Sequence, residues 1–338
     1  MKSLILHIMK LTGTILLLFF AFVGAYYSLI RWQYNSVKKE VEKRESVRTF
    51  DKDLKYNMPL GEPVFWVKPG NRVTLFFIDG FRGQIGAGHY RPWFEKLHNQ
   101  YGVNIVAPIT ALQGWPFAYR TRDWHREEDM RQALQIYDAY CSNLPAGHKV
   151  VVGSMSFGAL SNVTIGAKGK RRPDAMVMVA PLNTGLDYKS GSAVTRWLSS
   201  KISVIQYIKP WMIRGKNKAR ATLYDVVNDE KNIAAWDAVM KDSVNYEENL
   251  PQGVHLNETA VYMENELVPQ VKGENIVILY GEDDLTFSAK GFETLGEKLR
   301  AAGNTVKTVP FAKSGHMLLY DNGGDKAKEM ILDMLLAR

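Results

Sequence analysis

The chain of 338 residues carries 43 Lys and Arg against 35 Asp and Glu, a formal net charge of +8, with 46% hydrophobic, 11% aromatic and 23% charged residues. That composition is enough to pack a core and excludes both disorder and collagen-like repetition. The one cysteine, Cys141, excludes an internal disulfide framework and any cysteine-rich zinc or iron–sulfur site.

Leu11 to Ile30 (LTGTILLLFFAFVGAYYSLI) has no charged residue. At roughly 1.5 Å per residue such a run covers about 30 Å of hydrocarbon, so residues 1–32 are expected to form an N-terminal transmembrane anchor. Tyr26, Tyr27 and Trp32 suit a membrane interface. The competing readings are a buried core helix and a cleavable signal peptide with Val23-Gly24-Ala25 as its small-residue site; the length of the run favours retention. Lys2 and Lys10 flank one side, and Arg31, Lys38, Lys39, Lys43 and Arg44 the other. The basic count leans towards an inside C-terminal flank, and the side of the membrane stays open. A lipid bilayer is therefore the first expected partner. Residues 33–61, charged and weakly periodic, read as a juxtamembrane linker.

Beyond it, apolar β-rich runs alternate with helical stretches: EPVFWVKP, RVTLFFIDG, YGVNIVAPI, a helix over about 123–144, HKVVVGSMS, a small-residue helix, AMVMVAP, and much later ENIVILYG and TVKTVPFA. Continuous apolar strands interleaved with helices predict an α/β architecture with a mostly parallel sheet. One long, helix-compatible interruption separates the last two strands from the rest. It divides the chain into a first core part (62–181), a helical cap (182–270) and a second core part (271–338). Trp197, Ile208, Trp211 and Met212 in the cap are candidates for an apolar, acyl-accepting lining.

The strongest local signal is VVVGSMSFGAL, in which a buried strand runs directly into Ser156 and a small-residue helix. A serine presented on so sharp a strand-to-helix turn needs small residues two positions before and after it, and Ser154 and Gly158 fill them. Asp284 follows the strand NIVILY in the loop Gly281-Glu282-Asp283-Asp284; spacing favours it over Asp283. His316 follows the final strand in KTVPFAKSGHMLL. A nucleophile, an imidazole base and an orienting carboxylate are the parts of a Ser-His-Asp triad. After VTLFFI comes Asp79-Gly80-Phe81-Arg82-Gly83, a glycine-rich loop whose Phe81 N–H would join the Phe157 N–H in an oxyanion hole.

His89, His98, His125 and His148 lack metal-ligand spacing, so no metal is expected. No phosphate-binding or dinucleotide fingerprint is present, so no cofactor is expected, and no module or aromatic stripe points to nucleic acid. The basic groups Lys168, Lys170, Arg171, Arg172 and Arg214, Lys216, Lys218, Arg220 read as a solvated helix end and a candidate membrane contact.

On these motifs the chain, from Val64 to its C-terminus, resembles the α/β-hydrolase superfamily, and within it the carboxylesterases and monoacylglycerol-lipase-like enzymes with a helical cap. The order Ser156, Asp284, His316 is the order that superfamily uses. Ala107-Pro108 through Gln113-Gly114-Trp115 to Asp123-Trp124 resembles the branch's post-strand loop and helix start. Two positions depart from the pattern: Asp79 stands where a histidine is usual, and Ser154 where a glycine is usual. The resemblance implies Ser156 as nucleophile, His316 as general base and acid, and Asp284 as its orienter. The expected protein is a membrane-anchored serine hydrolase of carboxylic esters, with lipid or other apolar acyl esters favoured. An acyltransferase using the same triad, and a non-catalytic hydrolase-fold scaffold, are the alternatives.

Overall fold

The computed structural model describes residues 10–25, 28, 63–80, 90–110, 126–185, 259–284 and 286–337. Its centre is a seven-stranded sheet in the order β1-β3-β2-β4-β5-β6-β7. The strands are β1 (Val64–Trp66), β2 (Val73–Ile78), β3 (Val103–Ala107), β4 (Lys149–Met155), β5 (Ala175–Val179), β6 (Asn275–Gly281) and β7 (Thr305–Phe311). All neighbouring pairs are parallel except β1 with β3.

The sequence pattern explains who sits where. Strands β3 and β5 are buried along their whole length, as strands covered on both faces must be, and both are runs of almost wholly apolar residues. Strand β7 alternates exposed and half-buried positions and contains Pro310, which an edge strand tolerates because only one side of it needs ladder donors.

Helices cover both faces. The described helices of eight or more residues are α1 (residues 10–25), α2 (Arg91–Tyr101), α3 (Arg126–Cys141), α4 (Ala159–Lys168), α5 (Ala289–Ala301) and α6 (Gly324–Leu336). Alternate residues of β2 separate the two faces. Leu75 and Phe77 pack with Phe94 of α2 and Ile331 of α6, whereas Phe76 and Ile78 pack with Tyr137 of α3 and Ile165 of α4. Met176 and Ile278 continue the second face towards Phe292 and Leu295 of α5.

Strand β2 has β3 on one side and β4 on the other. The chain therefore changes direction across the sheet there, which opens a crevice at the carboxyl ends of β2 and β4, the usual place for a ligand in an open parallel sheet.

Two expectations need adjustment. The helix expected over about 123–144 ends at Cys141, and residues 123–125 lie outside the described residues. No helix among the described residues is long and apolar enough to cross a membrane. Helix α1 is described over residues 10–25, and residue 28 is helical as well. Residues 26, 27, 29 and 30 of the expected span lie outside the described residues, as do the linker at 33–61 and the cap from 186 to 258.

Candidate active site

Ser156 follows the last residue of β4 and opens the short helical turn Ser156–Gly158, which leads straight into α4. Its φ is 50°, in the left-handed region that costs a non-glycine residue roughly 1–2 kcal/mol. The neighbours show what holds that strained turn. A Cβ on Gly158 would collide with the carbonyl oxygens of Ile78 and Asp79 at the end of β2, so only glycine lets the elbow close on that strand. Ser154, the departure two residues before, fits because its side chain is fully buried and its Oγ accepts a hydrogen bond from Asn162 Nδ2 at 2.9 Å. Asn162 lies on α4 and also reaches the Val177 carbonyl at 3.0 Å, so one amide bridges β4, β5 and the helix behind the nucleophile.

His316 stands in the loop after β7 and is 8% exposed. Its Nε2 lies 2.9 Å from Ser156 Oγ, and its Nδ1 lies 2.8 Å from Asp284 Oδ2. An ionised carboxylate can only accept, so Nδ1 carries the proton and Nε2 presents its lone pair to the serine hydroxyl. Asp284, 2% exposed, has its other oxygen occupied: Oδ1 accepts from Thr286 N at 2.7 Å and Phe287 N at 2.9 Å. The Phe287 ring lies 5.4 Å from the imidazole. Asp283 is exposed, and its backbone N–H donates to the Ser314 carbonyl at 2.9 Å, which stitches the carboxylate loop to the histidine loop. The buried Asp321 adds a second stitch by accepting from Gly315 N at 2.7 Å, directly before His316.

The loop after β2 reaches the same place. A Cβ on Gly80 would lie 2.7 Å from Ser156 Cβ and 3.3 Å from its Oγ, so the backbone of Gly80 backs onto the nucleophile. Asp79 is buried, and its Oδ1 accepts from the Gly80 N–H and from the Tyr90 hydroxyl, both at 2.7 Å. Burial first, and the Asp79 charge second, push the Tyr90 and Tyr320 hydroxyls well above the ordinary tyrosine range, so both remain protonated. Phe157 is buried at the start of the helical turn, where the first N–H groups of a helix lack intrahelical acceptors. Phe81 lies outside the described residues, as do the cap candidates Trp197, Ile208, Trp211 and Met212.

The described ends of the expected cap lie beside the site. Leu182 N donates to the carbonyl of Ser156 at 2.9 Å. The buried Glu264 accepts from Thr184 N at 2.6 Å, from Thr184 Oγ1 at 2.9 Å and from Lys298 Nζ of α5 at 2.6 Å. Gly185 approaches Gly291, and its carbonyl accepts from Ser288 N at 2.9 Å, just beyond the Asp284 loop.

The other singled-out residues have structural uses. His98 Nδ1 lies 2.9 Å from the Val103 carbonyl, and His148 Nε2 lies 2.7 Å from Thr74 Oγ1. Arg171 pairs with Asp174 and Arg172 with Glu274, residues that precede β5 and β6, at the opposite end of the sheet from Ser156. His89, His125 and the group from Arg214 to Arg220 lie outside the described residues.

No protein-family model matches the sequence, and no curated protein matches it. Solved structures do. A soluble variant of monoglyceride lipase from Saccharomyces cerevisiae superposes with a TM-score of 0.58 at 14% identity, covering 81% of this chain and 90% of that one. A monoacylglycerol lipase from Paleococcus ferrophilus gives 0.57 at 13% identity, over 81% and 97% of the two chains. A thermostable carboxyl esterase from Bacillus coagulans gives 0.57 at 14% identity, over 83% and 96%. At these identities the likeness is one of architecture, and with the sheet order and the strand-to-helix elbow it establishes that this chain has the α/β-hydrolase fold of lipases and esterases.

Proposed function

We propose that this protein is a serine hydrolase of carboxylic esters, with apolar acyl esters as its substrate class. The observation that carries the reading is the continuous hydrogen-bonded line from Ser156 through His316 to Asp284, set at the ends of three strands of the sheet. His316 Nε2 takes the hydroxyl proton as Ser156 Oγ attacks the ester carbonyl, and the carbonyl electrons move onto oxygen. The N–H groups of Phe81 and Phe157 receive that oxyanion. His316 then returns the proton to the leaving alcohol, an acyl-enzyme remains, and water attacks it by the same steps in reverse roles. Asp284 accepts from Nδ1 throughout and favours the imidazolium that forms transiently.

The apolar substrate class is supported by the solved neighbours, which are described as lipases and esterases. Attachment to a bilayer through the N-terminal segment belongs to the same proposal. Its support is the charge-free run after Lys10 and the exposure of Leu16, Leu17, Phe19 and Phe20 on α1, a contiguous apolar surface that water does not favour.

The test is labelling of the full-length protein with a fluorophosphonate probe, with the adduct located by peptide mass. Labelling at Ser156 that is lost in Ser156→Ala, together with hydrolysis of p-nitrophenyl esters that favours longer acyl chains, is the expected result. Folded protein that takes no label refutes the serine-hydrolase reading, and a strict preference for acetate esters refutes the apolar class.

A further inference from the structure

The loop that begins the oxyanion hole starts with a carboxylate, and a buried negative charge there is electrostatically awkward. Oxyanion development in an α/β-hydrolase calls for donors, and a carboxylate one residue away opposes it unless its own charge is absorbed by hydrogen bonds. The structure shows how Asp79 is absorbed. It is 4% exposed, and a single oxygen takes both the Gly80 N–H and the Tyr90 hydroxyl at 2.7 Å. The Gly80 N–H is thereby turned back on its own side chain and away from the nucleophile.

Both phenols keep their protons because burial and the Asp79 charge oppose phenolate formation, so they remain available as donors. The three residues come from three loops. Asp79 ends the β2 segment, Tyr90 opens α2, and Tyr320 lies on the turn Leu318–Tyr320 that follows His316. The Tyr90 and Tyr320 rings meet edge-on with centroids 5.3 Å apart, and the Tyr90 hydroxyl also lies 3.0 Å from Sδ of Met155, the residue before Ser156.

We propose that Asp79, held by the Tyr90 hydroxyl, is a positioning residue that fixes Gly80 against Ser156, with the Tyr320 ring bracing Tyr90 from the histidine loop. The proposal rests on the serine-hydrolase reading above. Asp79 does not touch the reacting atoms; it acts by fixing where Gly80 stands against Ser156. The consequence is that the clamp belongs to the transition state more than to substrate binding.

The experiment compares wild type with Tyr90→Phe, Asp79→Ala and the Tyr90→Phe/Asp79→Ala pair. For each, kcat and KM on a p-nitrophenyl ester, the inhibition constant of a trifluoromethyl ketone of matching chain length, the rate of Ser156 phosphonylation and the melting temperature are measured. Tyr90→Phe is expected to lower kcat about tenfold and Asp79→Ala about a hundredfold, less than or equal to the loss of one oxyanion donor, with KM within about twofold. The ketone, whose hemiketal carries the oxyanion, should weaken by the same factors. The pair should be no worse than Asp79→Ala alone, because Tyr90 works through Asp79.

Folded Tyr90→Phe with wild-type kcat, a loss confined to KM with ketone affinity unchanged, or a pair that loses the product of its single losses overturns the proposal. Should Asp79→Ala fail to fold, Tyr90→Phe, which lacks only a hydroxyl, decides it by the same kcat and ketone criteria. A wild type that takes no label at Ser156 overturns the hydrolase reading and the clamp together. A labelled wild type with unchanged variants overturns the clamp alone.

Discussion

Replacing Asp284 by Asn should abolish most of the activity without unfolding the protein, and the reason is written in the hydrogen bonds of one carboxylate. Oδ1 accepts two backbone N–H groups, from Thr286 at 2.7 Å and Phe287 at 2.9 Å, while Oδ2 faces His316 Nδ1 at 2.8 Å. An asparagine must keep its carbonyl oxygen towards the two N–H groups, since turning its NH2 there would set donor against donor and leave buried groups unpaired at about 1–3 kcal/mol each. Its NH2 then points at His316 Nδ1, which must become an acceptor. The imidazole proton moves to Nε2, so the ring donates towards Ser156 Oγ and can no longer take its proton. That wrong tautomer is worth a factor of about 10⁴ in kcat in the serine-protease template, or roughly 5 kcal/mol of transition-state stabilisation. Steady-state hydrolysis of a p-nitrophenyl ester, read beside a melting curve within about 3 °C of wild type, measures it. A folded Asp284→Asn that retains more than about a tenth of wild-type kcat would refute the tautomer argument.

Three further outcomes are expected. Gly80→Ala should push a methyl group into the space 2.7 Å from Ser156 Cβ and, by moving the nucleophile by a fraction of an ångström, lower kcat by about 10², read in the same ester assay; an unchanged rate would show that the loop yields. Glu264→Ala leaves the Thr184 N–H without its acceptor and Lys298 without its partner. Because Lys298 is 38% exposed and water relieves part of its loss, the cost is about 2–3 kcal/mol, or about 4–12 °C in scanning calorimetry, and a shift under about 1 °C would contradict it. The His148 pKa is lowered by burial first and then by the Arg171 and Arg72 charges. The unfolded chain therefore binds the proton more readily, so stability is full above the ordinary histidine value of about 6.5 and declines as pH falls through it. The melting temperature of wild type should fall further between pH 8 and 5 than that of His148→Gln, and parallel curves would remove His148 as the cause.

Ser156, Asp284 and His316 could be singled out in the sequence because each carries a local demand. The elbow needs small residues around Ser156, and Ser154 and Gly158 supply them; the carboxylate and the histidine each follow an apolar strand that could be recognised by composition alone. Choosing Asp284 over Asp283 depended on the turn after β6, and the backbone bond from Asp283 to Ser314 is what faces one carboxylate outward and the next inward. The Asp79, Tyr90 and Tyr320 cluster had no such signature. Its members lie in separate loops, share no periodicity, and meet only because β2 and β7 deliver their loops to the same edge of the crevice. Glu264 was invisible for the same reason, being one glutamate among several in a segment taken as cap. Antiparallel β1 reads in sequence like any other short apolar run, since direction within a sheet is a tertiary property.

The meeting of Thr184 and Glu264 has a bearing on how this fold diversifies. These residues are 80 positions apart, yet they bond directly, and Glu264 is held in turn by Lys298 of α5, so the chain at 184 and at 264 is tied to one point of the core. Ser156, Asp284 and His316 all lie outside positions 186–258 and on described core elements. A chimaera that carries a foreign insert between those two points should retain the nucleophile and change its acyl choice.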